Sequence, residues 1–224
     1  EFRTLTRRAA DTFGAPTPPV ADLPVADAPQ AAPDQPAMAD ARYDCVRDMD
    51  TLQGWIARIR DAGHVAFDTE TTALDEMRAD LVGISLCVDA GHAAYIPLGH
   101  RDGDDLFGSA KLVDGQLPLA DVLDALRPVL TDPAVLKIGQ NMKYDAKIMA
   151  RLGIDIAPID DTMLMSYALH GGLHGHGMDE LSDRYLNHQP IAIKSLLGSG
   201  KSAITFDRVP IDAATRYAAE DADI

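Results

Sequence analysis

Seven of the chain's 14 prolines fall between Pro16 and Pro36, interleaved with alanine and aspartate. Proline fixes φ and removes a backbone donor, and a segment with so little to bury stays extended and solvated. Residues 15–40 are therefore expected to be a linker, which confines the folded body to residues 41–224. Ahead of the linker, Glu1–Phe13 has helical spacing, with Phe2, Leu5 and Ala9 on one side and Arg3, Arg7 and Arg8 on the other. So short a helix is marginal alone, and residues 1–14 are expected to be the tail of an upstream module. At the other end, Ala222-Asp223-Ile224 falls inside a helical pattern without a stop signal. The expectation is a piece of a larger polypeptide, with Asp221 close to an end that can fray.

Within the body, Leu52, Trp55, Ile56 and Ile59 recur at helical spacing over Thr51–Ala62, and Gly63 closes the helix. His64–Phe67 is a short buried strand running into Asp68. Leu81–Val88 and Ala93–Leu98 are strands joined as a hairpin through Asp89–His92. Leu119–Leu130 is an amphipathic helix, Val135–Ile138 a fourth strand, and Met142–Leu152, Asp161–His170, Met178–Leu186 and Ile211–Ile224 are helices. A hairpin-rich group followed by alternating elements predicts an α/β domain, a mixed sheet with helices packed on it.

Composition narrows the function classes. The 224 residues carry 20 Lys+Arg against 35 Asp+Glu, a net charge of −15, which opposes coating of duplex DNA by bulk electrostatics. A site gripping nucleic acid through bound cations stays open, because carboxylate-rich metal sites are themselves acidic. No apolar stretch approaches the roughly 18 residues of a membrane span, and no signal peptide opens the chain. Cys45 and Cys87 suggest neither a disulfide framework nor a zinc site. A cytoplasmic protein without membrane contact is expected.

The acids are arranged in three groups. Asp68 and Glu70 are i and i+2 at a strand end, so both carboxylates project from one face. Asn141 and Asp145 are four apart at the start of a helix and share a face, with Asn141 equally suited to capping that helix. Tyr217 and Asp221 repeat the spacing on the last helix. Taken singly, each has an ordinary explanation as a solvated acid or cap. Four carboxylates converging without cations would repel one another and raise their pKa values. Hard divalent ions, which prefer oxygen ligands, resolve that conflict.

The set Asp68-x-Glu70, Asn141-x-x-x-Asp145 and Tyr217-x-x-x-Asp221 resembles the signature of DEDD-type 3′–5′ exonucleases in the variant with tyrosine. Phe67-Asp-Thr-Glu-Thr71, Gly139-Gln-Asn-Met-Lys-Tyr-Asp145, Asp161-Thr-Met-Leu-Met-Ser-Tyr167 and Arg216-Tyr-Ala-Ala-Glu-Asp-Ala-Asp223 extend the likeness. Residues 41–224 thus resemble the proofreading exonuclease domain of bacterial DNA polymerase I. The resemblance implies a ribonuclease H-like fold and two divalent cations, Mg²⁺ or Mn²⁺, held by Asp68, Glu70, Asp145 and Asp221. Asp68 would bridge both ions, Glu70 and Asp221 would complete the site that activates water, and Asp145 would support the second ion through water. Tyr217 would orient the water with Glu70, since a phenol of pKa about 10 is a poor base at neutral pH. Thr71, Leu74, Gln140 and Asn141 would contact the substrate, with Leu74 as a wedge between terminal bases and Tyr144 nearby. The expected substrate is a single-stranded or frayed DNA 3′ end, releasing 5′-mononucleotides. The same resemblance implies a monomeric, nucleoid-associated parent chain, with a 5′-nuclease module before this domain and a polymerase module after it.

Two decoys are set aside. Gly198-Ser-Gly-Lys-Ser202 resembles a P-loop, but Ser195 stands at the first glycine position and Ala203–Phe206 reads as extended, not helical. His170, His174 and His176 lie in a glycine-rich turn without acids or cysteines at zinc spacing, and are expected to form a polar loop. Two rival functions remain: an RNase D-like 3′ RNA exonuclease sharing the acids, and a catalytically silent scaffold. Retention of all four acids and Tyr217 disfavours the second.

Overall fold

The computed structural model describes residues 8, 10–14, 41–102, 110–200 and 203–224. The linker expected at 15–40, most of the helix expected over Glu1–Phe13, and Lys201 and Ser202 of the P-loop-like run lie outside the described residues. Residues 10–13 are helical.

The body contains β1 (Arg42–Cys45), α1 (Met49–Ala62), β2 (His64–Thr71), β3 (Leu81–Asp89), β4 (His92–Pro97), β5 (Arg101–Asp102) and β6 (Lys111–Leu112). It continues with α2 (Leu119–Leu130), β7 (Leu136–Gly139), α3 (Met142–Arg151), β8 (Ile159–Asp161) and α4 (Thr162–His170). Then come α5 (Met178–Leu186), α6 (Ile193–Leu197), a 3₁₀ turn (Phe206–Arg208) and α7 (Ile211–Asp223). Six strands form one mixed sheet in the order β1-β4-β3-β2-β7-β8. The β2–β3–β4 meander is antiparallel, while β1 joins β4, β7 joins β2 and β8 joins β7 in parallel.

One face of the sheet carries the main core. Leu52, Trp55, Ile56 and Ile59 of α1 and Val122, Leu126 and Leu130 of α2 pack on Phe67, Ile84, Leu86 and Ile96. Asp48 starts α1 by accepting the Thr51 N–H, and Gly63 ends it at φ 71. Helix α7 covers the opposite face with small residues: Ala214 and Ala218 meet Val82 and Tyr95, while Ala219 and Ala222 meet Cys87 and Ala93. Alanines let the helix axis approach the sheet closely, which brings Asp221 down toward β2. Tyr95 lies across β3 because residue 83 is glycine; a Cβ there would stand 2.1 Å from the Tyr95 hydroxyl.

Several elements differ from the sequence expectation. Strand β2 runs four residues beyond Phe67, because its ladder to β3 continues from Asp68↔Ser85 to Thr71↔Leu81. Asp68 and Glu70 therefore lie within the strand rather than past its end. Strands β1, β5, β6 and β8 and helix α6 were not expected. They have two to five residues each, too few to show a periodicity. Asp161 caps α4 through the Leu164 N–H instead of beginning it. The run after α6 is not a P-loop, since a helix, not a strand, precedes Gly198.

Candidate active site

The parallel ladder between β2 and β7 stops at Ala66↔Ile138, whereas β2 continues along β3 to Thr71. The last residues of β2 thus have a ladder partner on one side only, and Asp68 and Glu70 occupy that opening. On the opening's far side β7 ends at Gly139, where a Cβ would meet the Phe67 carbonyl at 2.8 Å, and the chain turns into α3.

Carboxylate oxygens of Asp68, Glu70 and Asp221 lie within 4.8 Å of one another. Tyr217 lies one turn before Asp221 on α7, near enough for the Asp221 charge to act on its phenol. Asp145 approaches from α3 but is turned onto β2: its Oδ1 accepts the Thr69 backbone N–H at 3.0 Å and the Thr69 hydroxyl at 2.6 Å. Burial pushes the Asp68 carboxyl up to about 6. Burial and the Asp68 charge push Asp145 up to about 8. Glu70 is raised by burial and then by Asp68, Asp221 and Asp145, and Asp221 by burial and then by Asp68. The Tyr217 phenol is likewise raised by burial and by the Asp221 and Glu70 charges.

This donor set fits divalent cations. It is all oxygen, it is anionic, and Glu70 Oε1 is buried without a hydrogen-bond partner. Among the described residues this is the one group of acids, histidines or cysteines so disposed.

The expected substrate residues fall into two kinds. Leu74 is 94% exposed on the loop after β2. That loop is held by Tyr144, whose hydroxyl donates to the Ala73 carbonyl at 2.6 Å and also meets the Thr71 hydroxyl. Gln140 is engaged within the protein, donating to the His176 carbonyl at 2.7 Å and accepting from Thr162 at 2.5 Å. Asn141 occupies the N-cap position of α3 in the left-handed region, φ 59 and ψ 42, and its side chain makes no cap hydrogen bond. Asparagine tolerates that region better than other non-glycine residues, and the side chain is freed from capping. The Asn141 N–H is bonded to the buried Asp161 carboxylate.

Sequence reasoning missed Thr69 and Asp161, which hold Asp145 and Asn141 in place. It also missed Glu220, which binds His188 at 3.0 Å and the Ile191 N–H at 2.6 Å, tying the α5–α6 connection to α7. Asp223 accepts from Gly91 N at 2.6 Å and Tyr43 at 3.1 Å, pinning the end of α7 to the hairpin and β1. The histidine loop is a polar network: His176 meets Ser166, His170 meets Tyr185 and His174 meets a backbone carbonyl.

The model of a 3′–5′ exonuclease family of DNA polymerase A type matches residues 43–224. DNA polymerase I of Rhizobium leguminosarum is 50% identical over 192 residues, covering 81% of this chain and 19% of that protein. DNA polymerase I of Pseudomonas aeruginosa is 41% identical, covering 84% of this chain and 20% of that protein. The chain therefore spans about a fifth of the length of these relatives. Among solved structures, Escherichia coli RNase D, an exoribonuclease involved in structured RNA processing, shares the fold with a TM-score of 0.57 at 20% identity, over 81% of this chain and 42% of that one. The six-stranded sheet with its flanking helices is thus the DEDD exonuclease fold. With the acid cluster at the free edge of β2 and a match across the whole body, the chain belongs to the 3′–5′ exonuclease family carried by DNA polymerase I.

Proposed function

We propose that this chain removes 5′-mononucleotides from the 3′ ends of DNA, as the proofreading module of a DNA polymerase I. The observation that carries the reading is the convergence of Asp68, Glu70 and Asp221 oxygens within 4.8 Å, with Tyr217 beside Asp221. Its support as a DNA enzyme is the 50% identity to a DNA polymerase I. The length of those relatives supports 5′-nuclease and polymerase modules in one parent polypeptide, flanking this domain.

In this reading Asp68, Glu70 and Asp221 would hold a divalent cation, Mg²⁺ or Mn²⁺, and Asp145 would support a second through water. Bound there, such ions lower the pKa of an attacking water and stabilise the leaving 3′ oxygen. Glu70 and Tyr217 orient that water from one side, and the raised phenol keeps Tyr217 a hydrogen-bond donor rather than a base. Leu74 wedges against the terminal bases from its exposed loop, while Thr71, Asn141 and Gln140 border the strand's path. A frayed or mismatched end is preferred because less pairing has to be broken.

The test is degradation of 5′-labelled single-stranded DNA with Mg²⁺ or Mn²⁺, beside EDTA and Asp68→Ala controls and a matched RNA. A DNA ladder shortening from the 3′ end, lost in both controls, is the expected result. Preferential cleavage of RNA would favour the alternative suggested by the RNase D fold. No shortening of either would point to a silent scaffold.

A further inference from the structure

The loop between β2 and β3, residues 72–80, is tied down more firmly than its exposure suggests. Its neck is closed by the Thr72 N–H donating to the Asp80 carbonyl at 3.0 Å and the Asp80 N–H donating to the Thr72 hydroxyl at 2.9 Å. Its turn is set by Asp75, whose carbonyl accepts the Arg78 and Ala79 N–H groups at 2.9 and 2.8 Å. Leu74 projects from this frame into solvent.

The far limb of the loop is held by α3. Lys147 Nζ donates to Glu76 Oε1 at 2.6 Å, and Arg151 Nη1 donates to the Glu76 carbonyl at 2.9 Å and the Ala79 carbonyl at 2.6 Å. With Tyr144 on the Ala73 carbonyl, the three side chains fall at i, i+3 and i+7, which is one face of a helix. Leu74 is thus bracketed, since Ala73 before it and Glu76 after it are both fastened to α3. The same helix carries Asp145, which is fixed onto β2 through Thr69. The loop and a site acid therefore hang from one rigid element.

Surface ion pairs add little to folding, and Lys147 and Glu76 are both partly exposed. Their contribution is to local position. Lys147 is neutralised by Glu76, which weakens it as a phosphate contact, while Arg151 faces two carbonyls. Driving a side chain between stacked bases loads the loop that carries it. A loop free to yield would move aside, whereas one fixed on both flanks transmits the load.

We propose that Lys147 and Arg151 are specificity-determining positioning residues, which clasp the loop to α3 and hold Leu74 stiffly enough to open a paired 3′ end. This rests on the reading of the chain as a 3′–5′ exonuclease with Leu74 as its wedge. A single strand needs no opening, so the clasp sets the preference between paired and unpaired ends and leaves the chemistry alone.

The experiment is single-turnover digestion by the 224-residue chain, with Mg²⁺, of a 5′-labelled single strand and of the same strand fully paired at its 3′ end. The variants are Lys147→Glu, Glu76→Lys, the two exchanged together, and Arg151→Met, with Leu74→Ala as reference. Each single clasp variant should slow the paired substrate by roughly tenfold more than the single strand, with melting temperatures close to wild type. The exchanged pair should recover most of that loss, and Lys147→Glu should add nothing to Leu74→Ala. Equal slowing of both substrates, or no recovery in the exchanged pair, would mark Lys147 as a direct DNA contact and overturn the inference. Wild-type selectivity in Lys147→Glu and Arg151→Met, with selectivity lost in Leu74→Ala, overturns the inference and leaves the wedge standing. Unaltered selectivity in Leu74→Ala overturns the wedge, no digestion by wild type overturns the exonuclease reading, and the inference falls with either.

Discussion

Asp145 takes the place of the next residue of β7. Strand β7 stops pairing with β2 at Ala66, and beyond it the Thr69 N–H is accepted by Asp145 Oδ1 at 3.0 Å, with the Thr69 hydroxyl adding a second bond at 2.6 Å. A carboxylate thereby completes the ladder and is fixed beside Asp68. Thr69→Val keeps the backbone bond and the side-chain shape but removes the hydroxyl. Losing one bond to a charged group costs about 1.5–3 kcal/mol of stability, read as a lower midpoint in urea unfolding. Nuclease activity should fall by on the order of tenfold, as for other partners that orient a ligand. Unchanged kinetics would mean that the backbone N–H alone fixes Asp145.

The acid cluster opposes folding when no cation is bound. Asp68, Glu70, Asp145 and Asp221 all have raised carboxyl pKa values, Asp68 to about 6 and Asp145 to about 8, each chiefly through burial. Groups raised in the fold contribute stability that is fully present below their unfolded values near 4 and is lost as pH rises through the folded ones. Metal-free protein should therefore become less stable between about pH 4 and pH 8. Glu70→Gln removes one of the repelling charges. At pH 8 in EDTA it should melt higher than wild type by several degrees, where about 1 kcal/mol corresponds to roughly 2–4 °C in a chain of this size. The same variant should be inactive and should gain less stability from Mg²⁺. A lower melting temperature in EDTA would show that Glu70 is held by structure and not strained by its neighbours.

The sequence made the site's acids legible for a physical reason: each lies at a fixed spacing within one element, so i and i+2 on β2 or i and i+4 on α7 declare a shared face. The long amphipathic elements were equally clear, and Leu119–Leu130 and Met178–Leu186 have the bounds that their periodicity indicates. What stayed hidden depends on pairing between distant segments. Strand β1 is only Arg42–Cys45 and acquires its identity by lying parallel to β4. Lys137 sits fully buried in β7 because its ammonium donates to the carbonyls of Asp132, Val135 and Ala157, which no local pattern encodes. The roles of Thr69 and Asp161 likewise exist only across the fold, Thr69 donating to the Asp145 carboxylate and Asp161 accepting the Asn141 N–H.

His100 gives the fold an acid-sensitive joint away from the metal ligands. Its ring is fully buried, with Nδ1 2.9 Å from the Val209 carbonyl and Nε2 2.7 Å from the Tyr95 hydroxyl. The carbonyl can only accept, so Nδ1 carries the proton and Nε2 accepts from Tyr95 in the neutral ring. Burial lowers the pKa of His100 below 6.5. A lowered group contributes stability present above the unfolded value and lost as pH falls through the folded one. Between pH 7.5 and pH 5.5 the wild type should lose more stability, or gain less, than His100→Gln. The comparison isolates His100, because the acid cluster contributes to both proteins alike. Parallel curves would show that protonation of His100 is not coupled to unfolding.

Leu74 tests whether the exposed loop acts on substrate. A leucine 94% exposed contributes little to folding, and surface substitutions of this kind change stability by about 0.5 kcal/mol or less. Tyr144 nevertheless spends its hydroxyl on holding the adjoining Ala73 carbonyl, so the loop has a defined position. If Leu74 intercalates at a terminal base step, Leu74→Ala should leave the melting temperature unchanged. It should slow digestion of a paired 3′ end more than that of a single strand, since only the former requires unstacking. Unstacking a base step costs a few kcal/mol, about 1–3, so loss of the wedge should slow digestion of the paired substrate by roughly fivefold to hundredfold. Tyr144→Phe should reproduce part of that selectivity by releasing the loop while leaving Leu74 intact. Equal slowing of both substrates by Leu74→Ala would assign the residue to general binding and remove the wedge from the mechanism.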